Sequence, residues 1–246
     1  MDTAIDKALL VLEALETGRG SSSLAAIAAG TGLPKPTVHR ILAILERRGF
    51  VQQLASREYS FGPKIIALGG FAGSKDPMLT VARPVLDRLV VACGETVHLG
   101  VLHESQLLYL ERREPEDAAV RLATLPSPLG ALHASACGKV LLAFGDEALL
   151  RTVLATELVR YTPHTIADPD DLREELHRIA EQGYALSEQE RNEGVRAVAV
   201  PVRNRAGTVV AGLSAAGPVQ RMSDEKVAEL RVQLGRAAGE LAVGVR

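Results

Sequence analysis

The chain has 246 residues, 47% of them hydrophobic and 24% charged, with a formal net charge of −2. This composition is typical of a soluble protein with a packed core, and the length allows one large domain or two modest ones. The two cysteines, Cys93 and Cys137, are far apart and belong to no CxxC pair, which argues against a disulfide framework and a zinc site. No apolar run approaches the length of a membrane span, about 18 residues or more. The N-terminus lacks the apolar segment of a signal peptide. We therefore expect a cytoplasmic protein with no cofactor and no metal.

Two short helices are predicted at the start of the chain. Apolar residues recur at helical spacing from Ile5 to Leu15, between an N-cap at Asp2 or Thr3 and a terminator at Gly18. The second helix follows the serines at 21–23 and ends at residues 30–32, where two glycines permit the positive φ of a tight turn.

A third helix is predicted over Pro34–Arg48, since a proline near a helix start lies where the N–H groups have no intrahelical partner. On a helical wheel, its core-facing residues are Val38, Ile41, Leu42 and Leu45. The opposite face carries Pro36, Arg40, Ala43 and Arg47, with Thr37 and His39 on the flanks. A helix with arginines and little bulk on its outward face fits the major groove of DNA, where arginine pairs with guanine.

After Gly49, the segments Phe50–Leu54 and Glu58–Phe61 are predicted to form a hairpin with Arg57 at its tip. A basic tip is suited to contact with backbone phosphates. Three helices, a glycine turn and this hairpin predict a winged helix-turn-helix, although a trihelical bundle with surface arginines is the structural alternative. The expected DNA contacts are Ser22, Lys35, Pro36, Thr37, His39, Arg40, Arg47 and Arg57.

The region from Pro63 to Pro77 contains an apolar helical stretch followed by several glycines, and it is the best domain boundary in the chain. We predict a DNA-binding domain at 1–62, a linker helix or hinge at 63–76 and a second domain at 77–246. Beyond a helix starting near Pro77, two hairpins are expected: Thr96–His103 with Gln106–Arg112, joined at Glu104 and Ser105, and Ala197–Arg203 with Thr208–Ala216. Helices are predicted over Ala134–Phe144, Asp146–Leu154, Pro169–Gln182 and Asp224–Val243. Hairpins combined with helices indicate an α+β fold with an antiparallel sheet flanked by helices.

Several stretches, in order and spacing, resemble the IclR family of bacterial regulators over essentially the whole chain. They are Leu33–Arg40, Tyr59–Pro63, Gly94–Leu99, Leu132–Lys139, Thr162–Ile166, Gly183–Leu186, Glu193–Arg196 and Leu213–Pro218. The resemblance implies an N-terminal winged helix, a linker helix that helps dimerisation and a C-terminal effector domain related to the GAF fold. It also implies binding of double-stranded, pseudo-palindromic operator DNA by a homodimer or a dimer of dimers, repression as the commoner mode, and a small organic acid as effector.

The helix expected near Ala134 begins with small residues, so that the N–H groups at 135–137 are open to a carboxylate. The resemblance to relatives that bind small oxo-acids places the effector among Ser135, Ala136, Cys137, Ser187, Ala197, Ser214 and Ala216. The family commonly has an acidic residue, Cys and Ser at the positions of Ser187, Ala197 and Ala216. Since this chain lacks those polar groups, we expect a larger, partly apolar acid, with aromatic acids as one candidate class.

Other readings are less favoured. Gly138-Lys139 lacks the first glycine and the Ser/Thr of a phosphate-binding loop. Cys137 near His133 is weak support for a nucleophile, and the six histidines show no metal-ligand spacing. The segment 188–193 is predicted to be a solvated acidic loop. The competing function is an enzyme with a catalytic C-terminal domain and an N-terminal interaction module.

Overall fold

The computed structural model describes residues 3–17, 21–103, 105–116 and 129–242. The chain divides into two compact units, and the division falls between Asp76 and Pro77. Among the described helices, none combines the length and the apolar character needed to cross a membrane. The predicted N-cap Asp2, the terminator Gly18, the hairpin residue Glu104 and the helix end Val243 lie outside the described residues.

The first unit consists of four helices and a small hairpin. Thr3 is the N-cap of the first helix: its hydroxyl accepts a hydrogen bond from the Asp6 amide at 3.2 Å, and the Asp6 carboxylate accepts one from the Thr3 amide at 2.7 Å. The elements are α1 (Ala4–Thr17), α2 (Leu24–Thr31), α3 (Lys35–Arg47), β1 (Val51–Gln53), β2 (Tyr59–Phe61) and α4 (Pro63–Lys75).

The core of this unit is trihelical, as the hydrophobic pattern predicts. Val38 and Leu42 of α3 are completely buried, Leu45 is nearly so and Ile41 is partly buried. They pack with buried residues of α1, α2 and the hairpin. The predicted recognition helix is one residue longer at each end than α3, because Pro34 and Arg48 are its caps.

The turn between α2 and α3 has the predicted glycine chemistry. Gly32 adopts φ +66°, which an L-residue rarely adopts, and it ends α2. The Thr31 hydroxyl donates to the Ile27 carbonyl oxygen at 2.8 Å and so reinforces the same helix end.

The hairpin strands are shorter than predicted, with three residues each. The linker helix is longer than its glycines would indicate, since α4 continues through Gly69, Gly70 and Gly73 and ends at Lys75, with Asp76 as its C-cap before Pro77. A residue that precedes proline is disfavoured in the helical region, which explains the end point better than the glycines do.

The second unit is a six-stranded antiparallel sheet with helices on both faces. The strand order is β5-β4-β3-β8-β7-β6. Its elements are α5 (Pro77–Cys93), β3 (Thr96–His103), β4 (Gln106–Arg113), β5 (Leu129–Gly130), α6 (Ala136–Ala143), α7 (Glu147–Leu154), α8 (Pro169–Gln182), β6 (Ala185–Glu188), β7 (Val195–Arg203), β8 (Val209–Pro218) and α9 (Asp224–Ala242).

Each face of this sheet has its own core. Alternate residues of the central strands, such as Leu99, Val198 and Leu213, pack against α5 and α9. Residues of the other parity, such as Ala185 and Ala199, pack with residues of α6, α7 and α8. The α+β fold and the pairing of both predicted hairpins are confirmed. The two edge strands β5 and β6, of two and four residues, are too short to show a period of two and were not predicted.

Candidate DNA-binding and effector sites

The outward face of α3 is the candidate DNA-binding surface. Lys35, Pro36, His39, Arg40 and Arg47 are all exposed, whereas Thr37 is half-buried at the start of the helix. Pro36 lies in the first turn of α3, where its missing N–H costs no hydrogen bond. Exposed, small and basic residues therefore alternate on one side of a helix whose other side is anchored in the core.

Ser22 does not belong to this surface. It is 7% exposed, and its backbone pairs with Tyr59 through N–O distances of 2.9 and 2.8 Å in both directions. Its position is determined by the pairing of the chain before α2 with the hairpin. The exposed serine is Ser23, whose hydroxyl caps α2 by accepting from the Ala26 amide at 3.2 Å. Ser22 is therefore removed from the set of expected DNA contacts.

Arg57 lies at the hairpin tip, as predicted, and it is exposed. Its φ of +65° is in the left-handed region, which costs a non-glycine residue roughly 1–2 kcal/mol. The turn is closed by a hydrogen bond from the Arg57 amide to the Leu54 carbonyl oxygen at 2.9 Å. The hairpin thus presents a cation at a backbone position where glycine is the less strained choice.

In the second unit, the helix expected from Ala134 begins two residues later, at Ala136. Ser135 is its N-cap and accepts a hydrogen bond from the Gly138 amide at 3.1 Å. The predicted amides at 135–137 therefore belong to the N-cap and the first two residues of α6, and a helix leaves its first N–H groups without intrahelical partners.

The sheet register places most of the remaining candidates on the sheet face that packs against α6. Ser187 of β6 lies opposite Ala197 of β7, which in turn lies opposite Ala216 of β8. Ser214 is two residues away from Ala216 on the same strand, and directly opposite residues of an antiparallel sheet project to the same side. Ser187, Ser214 and Ala216 are buried, and Ala197 is partly so.

Cys137 connects the start of α6 to this face. Its thiol donates to the Gly212 carbonyl oxygen at 3.3 Å, and Ser214 lies beside it. A Cβ at Gly212 would lie 3.2 Å from both the Cys137 carbonyl oxygen and Sγ, so a side chain there would be tightly packed against α6. Burial raises the pKa of the Cys137 thiol to about 11, so the thiol stays protonated and is a poor nucleophile.

Two residues at the same place, His98 and Tyr109, were missed by sequence reasoning. His98 of β3 lies opposite Ser214, and its ring contacts that of Tyr109 of β4 at a centroid distance of 5.0 Å. Tyr109 also interacts with Ser135. Burial, together with the nearby charge of Arg112, lowers the pKa of His98 to about 3, and burial raises that of Tyr109. The sequence signal for these two residues is a polar side chain within an apolar strand. Such a residue is visible in the sequence, but it does not by itself indicate a binding site.

Lys139, on α6, is 1% exposed and forms a buried ion-pair cluster. Its Nζ lies 2.9 Å from Oε1 of Glu175 on α8 and 2.6 Å from Oε1 of Glu190. Burial raises the pKa of Glu190, whereas Lys139 and Arg178 outweigh burial at Glu175 and lower its pKa. The prediction of a solvated loop at 188–193 is therefore wrong for Glu190, which is 4% exposed.

The residue after Glu190 contacts an aromatic pair. The guanidinium carbon of Arg191 lies 3.9 Å from the ring centroid of Tyr161, and Tyr161 stacks on His133 at 5.8 Å. His133 is buried, and its Nε2 lies 3.0 Å from the Val159 carbonyl oxygen rather than facing Cys137 as a base would.

Two open pockets lie elsewhere in the second unit. One, of about 660 Å³, is lined by α9, β7 and Tyr184, and the other, of about 440 Å³, lies near Arg196 and Ser223. Neither is lined by a predicted effector residue. Among the described residues, no group of three potential metal ligands is present.

Taken together, these features define a protein class: a winged helix-turn-helix unit joined to an α+β unit that carries a polar, aromatic cluster at a helix start. Comparison with known proteins identifies the family. The IclR helix-turn-helix domain matches residues 4–55, and the C-terminal domain of the bacterial transcriptional regulator IclR matches residues 72–243. The chain belongs to the IclR family of transcriptional regulators, which are not enzymes.

Among the relatives, the HTH-type transcriptional regulator BhcR of Paracoccus denitrificans is 35% identical, with 98% of this chain and 87% of BhcR covered. The HTH-type transcriptional repressor AllR of Salmonella typhi is 32% identical, with coverages of 91% and 82%. An IclR regulator from Alicyclobacillus acidocaldarius superposes with a TM-score of 0.87 at 31% identity, covering 98% of both chains. An IclR homologue from Microbacterium hydrocarbonoxydans, solved in complex with 4-hydroxybenzoate, gives 0.78 at 27% identity, covering 97% of this chain and 99% of the other.

Proposed function

We propose that this protein is a cytoplasmic repressor that binds a two-fold operator as a homodimer or a dimer of dimers and is controlled by a small aromatic acid. The observation that carries the DNA-binding part is the exposed basic face of α3, anchored by buried Val38 and Leu42. The expected contacts are Lys35, Pro36, Thr37, His39, Arg40 and Arg47 on or near that face, together with Arg57 at the hairpin tip.

The effector is proposed to bind at the start of α6, next to Ser135, Ala136 and Cys137 and the facing residues of the sheet. Two aromatic rings, those of His98 and Tyr109, adjoin this place, and Ala197 and Ala216 present only methyl groups at positions that face it on paired strands. An aromatic ligand gains from such surroundings, whereas a two- or three-carbon oxo-acid leaves few of its polar atoms paired. The Microbacterium relative in complex with 4-hydroxybenzoate supports the same ligand class.

The experiment that tests the proposal is an electrophoretic shift with DNA from the protein's own promoter region. Binding is expected to weaken steeply as salt increases, because phosphate contacts release counterions. Addition of 4-hydroxybenzoate is expected to change the apparent affinity, whereas pyruvate and glyoxylate are expected to have little effect. Absence of promoter binding would refute the DNA-binding role. A response to glyoxylate or pyruvate with none to 4-hydroxybenzoate would refute the aromatic effector.

A further inference from the structure

Arg191 is an exposed residue whose guanidinium reaches an aromatic pair that includes His133, shortly before α6, and neither the family resemblance nor the expected effector residues include it. Its guanidinium lies over the Tyr161 ring, and that ring stacks on His133, two residues before the N-cap Ser135. A guanidinium that stacks with its face on a ring keeps its N–H edges for a planar anion. The positive charge also acts on the hydroxyl of the half-buried Tyr109, which interacts with Ser135.

The two residues before Arg191 are held by hydrogen bonds to their backbone and by an ion pair to the Glu190 side chain. The Gln189 carbonyl oxygen accepts a hydrogen bond from the Thr162 hydroxyl at 2.8 Å, and the Glu190 carbonyl oxygen accepts one from the Thr165 hydroxyl at 2.6 Å. The Glu190 side chain is fixed by the buried Lys139 ammonium. Because Lys139 belongs to α6 itself, the backbone before Arg191 is tied to the helix whose start is the effector site.

We propose that Arg191 binds the carboxylate group of the effector and determines the preference of the site for acids. This inference rests on the proposed function, since it places one more residue at the same effector site. The guanidinium edge and the first amides of α6 supply donors to a single carboxylate, while the ring of the acid lies among Tyr161, Tyr109 and His98. Charge-assisted, bidentate pairing makes arginine the side chain suited to this task.

The test compares acids with their amides, which have similar shapes but no charge. Calorimetric titration of the full-length protein with 4-hydroxybenzoate and 4-hydroxybenzamide, and with pyruvate and pyruvamide, gives the acid-to-amide affinity ratio for each pair. Arg191→Gln is expected to lower the affinity for the acid by about 10- to 100-fold and to leave that for the amide nearly unchanged. Arg191→Lys keeps the positive charge but loses the planar pair of N–H donors. It is expected to give an acid-to-amide affinity ratio between those of Arg191→Gln and the unsubstituted protein.

Arg173→Gln is the matched control. Arg173 is exposed on α8, so this substitution removes the same charge at a position away from the start of α6. It is expected to bind both ligands like the unsubstituted protein. An unchanged acid-to-amide ratio in Arg191→Gln would overturn the inference alone, and so would an equal loss for acid and amide, which indicates a purely structural role. If the unsubstituted protein binds neither acid, the proposed effector site fails and the inference fails with it.

Discussion

At the scale of single residues, Arg40 and Arg57 are both exposed cations, but they are placed for different contacts. Arg40 lies on the middle of the outward face of α3, where a side chain meets base edges if the helix enters the major groove. Arg57 lies at the hairpin tip, in a left-handed backbone conformation, where it is suited to phosphate contact. Sequence specificity is therefore expected to depend on the first residue and general affinity on the second.

Arg40→Ala is expected to weaken operator binding by about 1–3 kcal/mol while changing binding to random DNA little. Arg57→Gly is the companion variant, because glycine relieves the positive φ and only the charge is lost. It is expected to weaken binding to both DNAs and to reduce the salt dependence. Fluorescence anisotropy with the two DNAs at several salt concentrations measures these effects. An equal loss on both DNAs for Arg40→Ala would contradict its role in reading bases.

At the scale of elements, α6, α8 and the segment before β7 are held together by the buried cluster of Lys139, Glu175 and Glu190. A buried ion pair contributes little compared with a well-packed apolar substitute, but removal of one partner leaves a buried charge without compensation. The cluster therefore sets the relative position of three elements near the proposed effector site more than it raises stability.

Lys139→Met is expected to lower the free energy of unfolding by about 3–5 kcal/mol, because two carboxylates lose their shared cation. Lys226→Met is the control, since the half-buried Lys226 pairs with the exposed Glu229 at 3.2 Å, and a pair that water reaches contributes about 1 kcal/mol at most. Urea unfolding followed by circular dichroism gives both values. Similar losses for the two variants would show that the buried cluster has no special role.

At the scale of the whole molecule, α4 is a helix whose apolar side chains are left exposed to solvent. None of its described residues is buried, and Ile66 and Phe71 are 73% and 68% exposed. Burying such side chains between two copies removes apolar surface from water at about 25 cal/mol per Å². The exposed apolar side chains of α4 support the proposed homodimer, with the linker helix as the contact between the two copies.

Ile66→Glu combined with Phe71→Glu is expected to shift the protein from dimer to monomer in analytical ultracentrifugation. Because two linked recognition helices bind far more tightly than one, operator affinity is expected to fall roughly 100-fold or more. Val91→Glu is the control, as Val91 is 84% exposed on α5 and outside the linker helix. A dimer that survives both α4 substitutions would refute the role of this helix in self-association.

The sequence by itself determined the features that depend on neighbours in the chain. The spacing of Val38, Leu42 and Leu45 indicated which face of α3 is buried, and the glycine before α3 indicated its turn. Both hairpins of the large sheet were predicted because their strands are joined by short connections and alternate in polarity. The DNA-binding surface needed little more than this information.

Only the tertiary structure decided which distant residues meet at the start of α6. His98 lies beside Ser214 because β3 pairs with β8, and more than a hundred residues separate the two strands. Glu190 is buried because Lys139 offers it a cation, and Ser22 is buried because the hairpin returns to it. A local pattern records whether a residue is polar, but the register of long-range pairing and the burial of a charge depend on partners that sequence spacing does not specify.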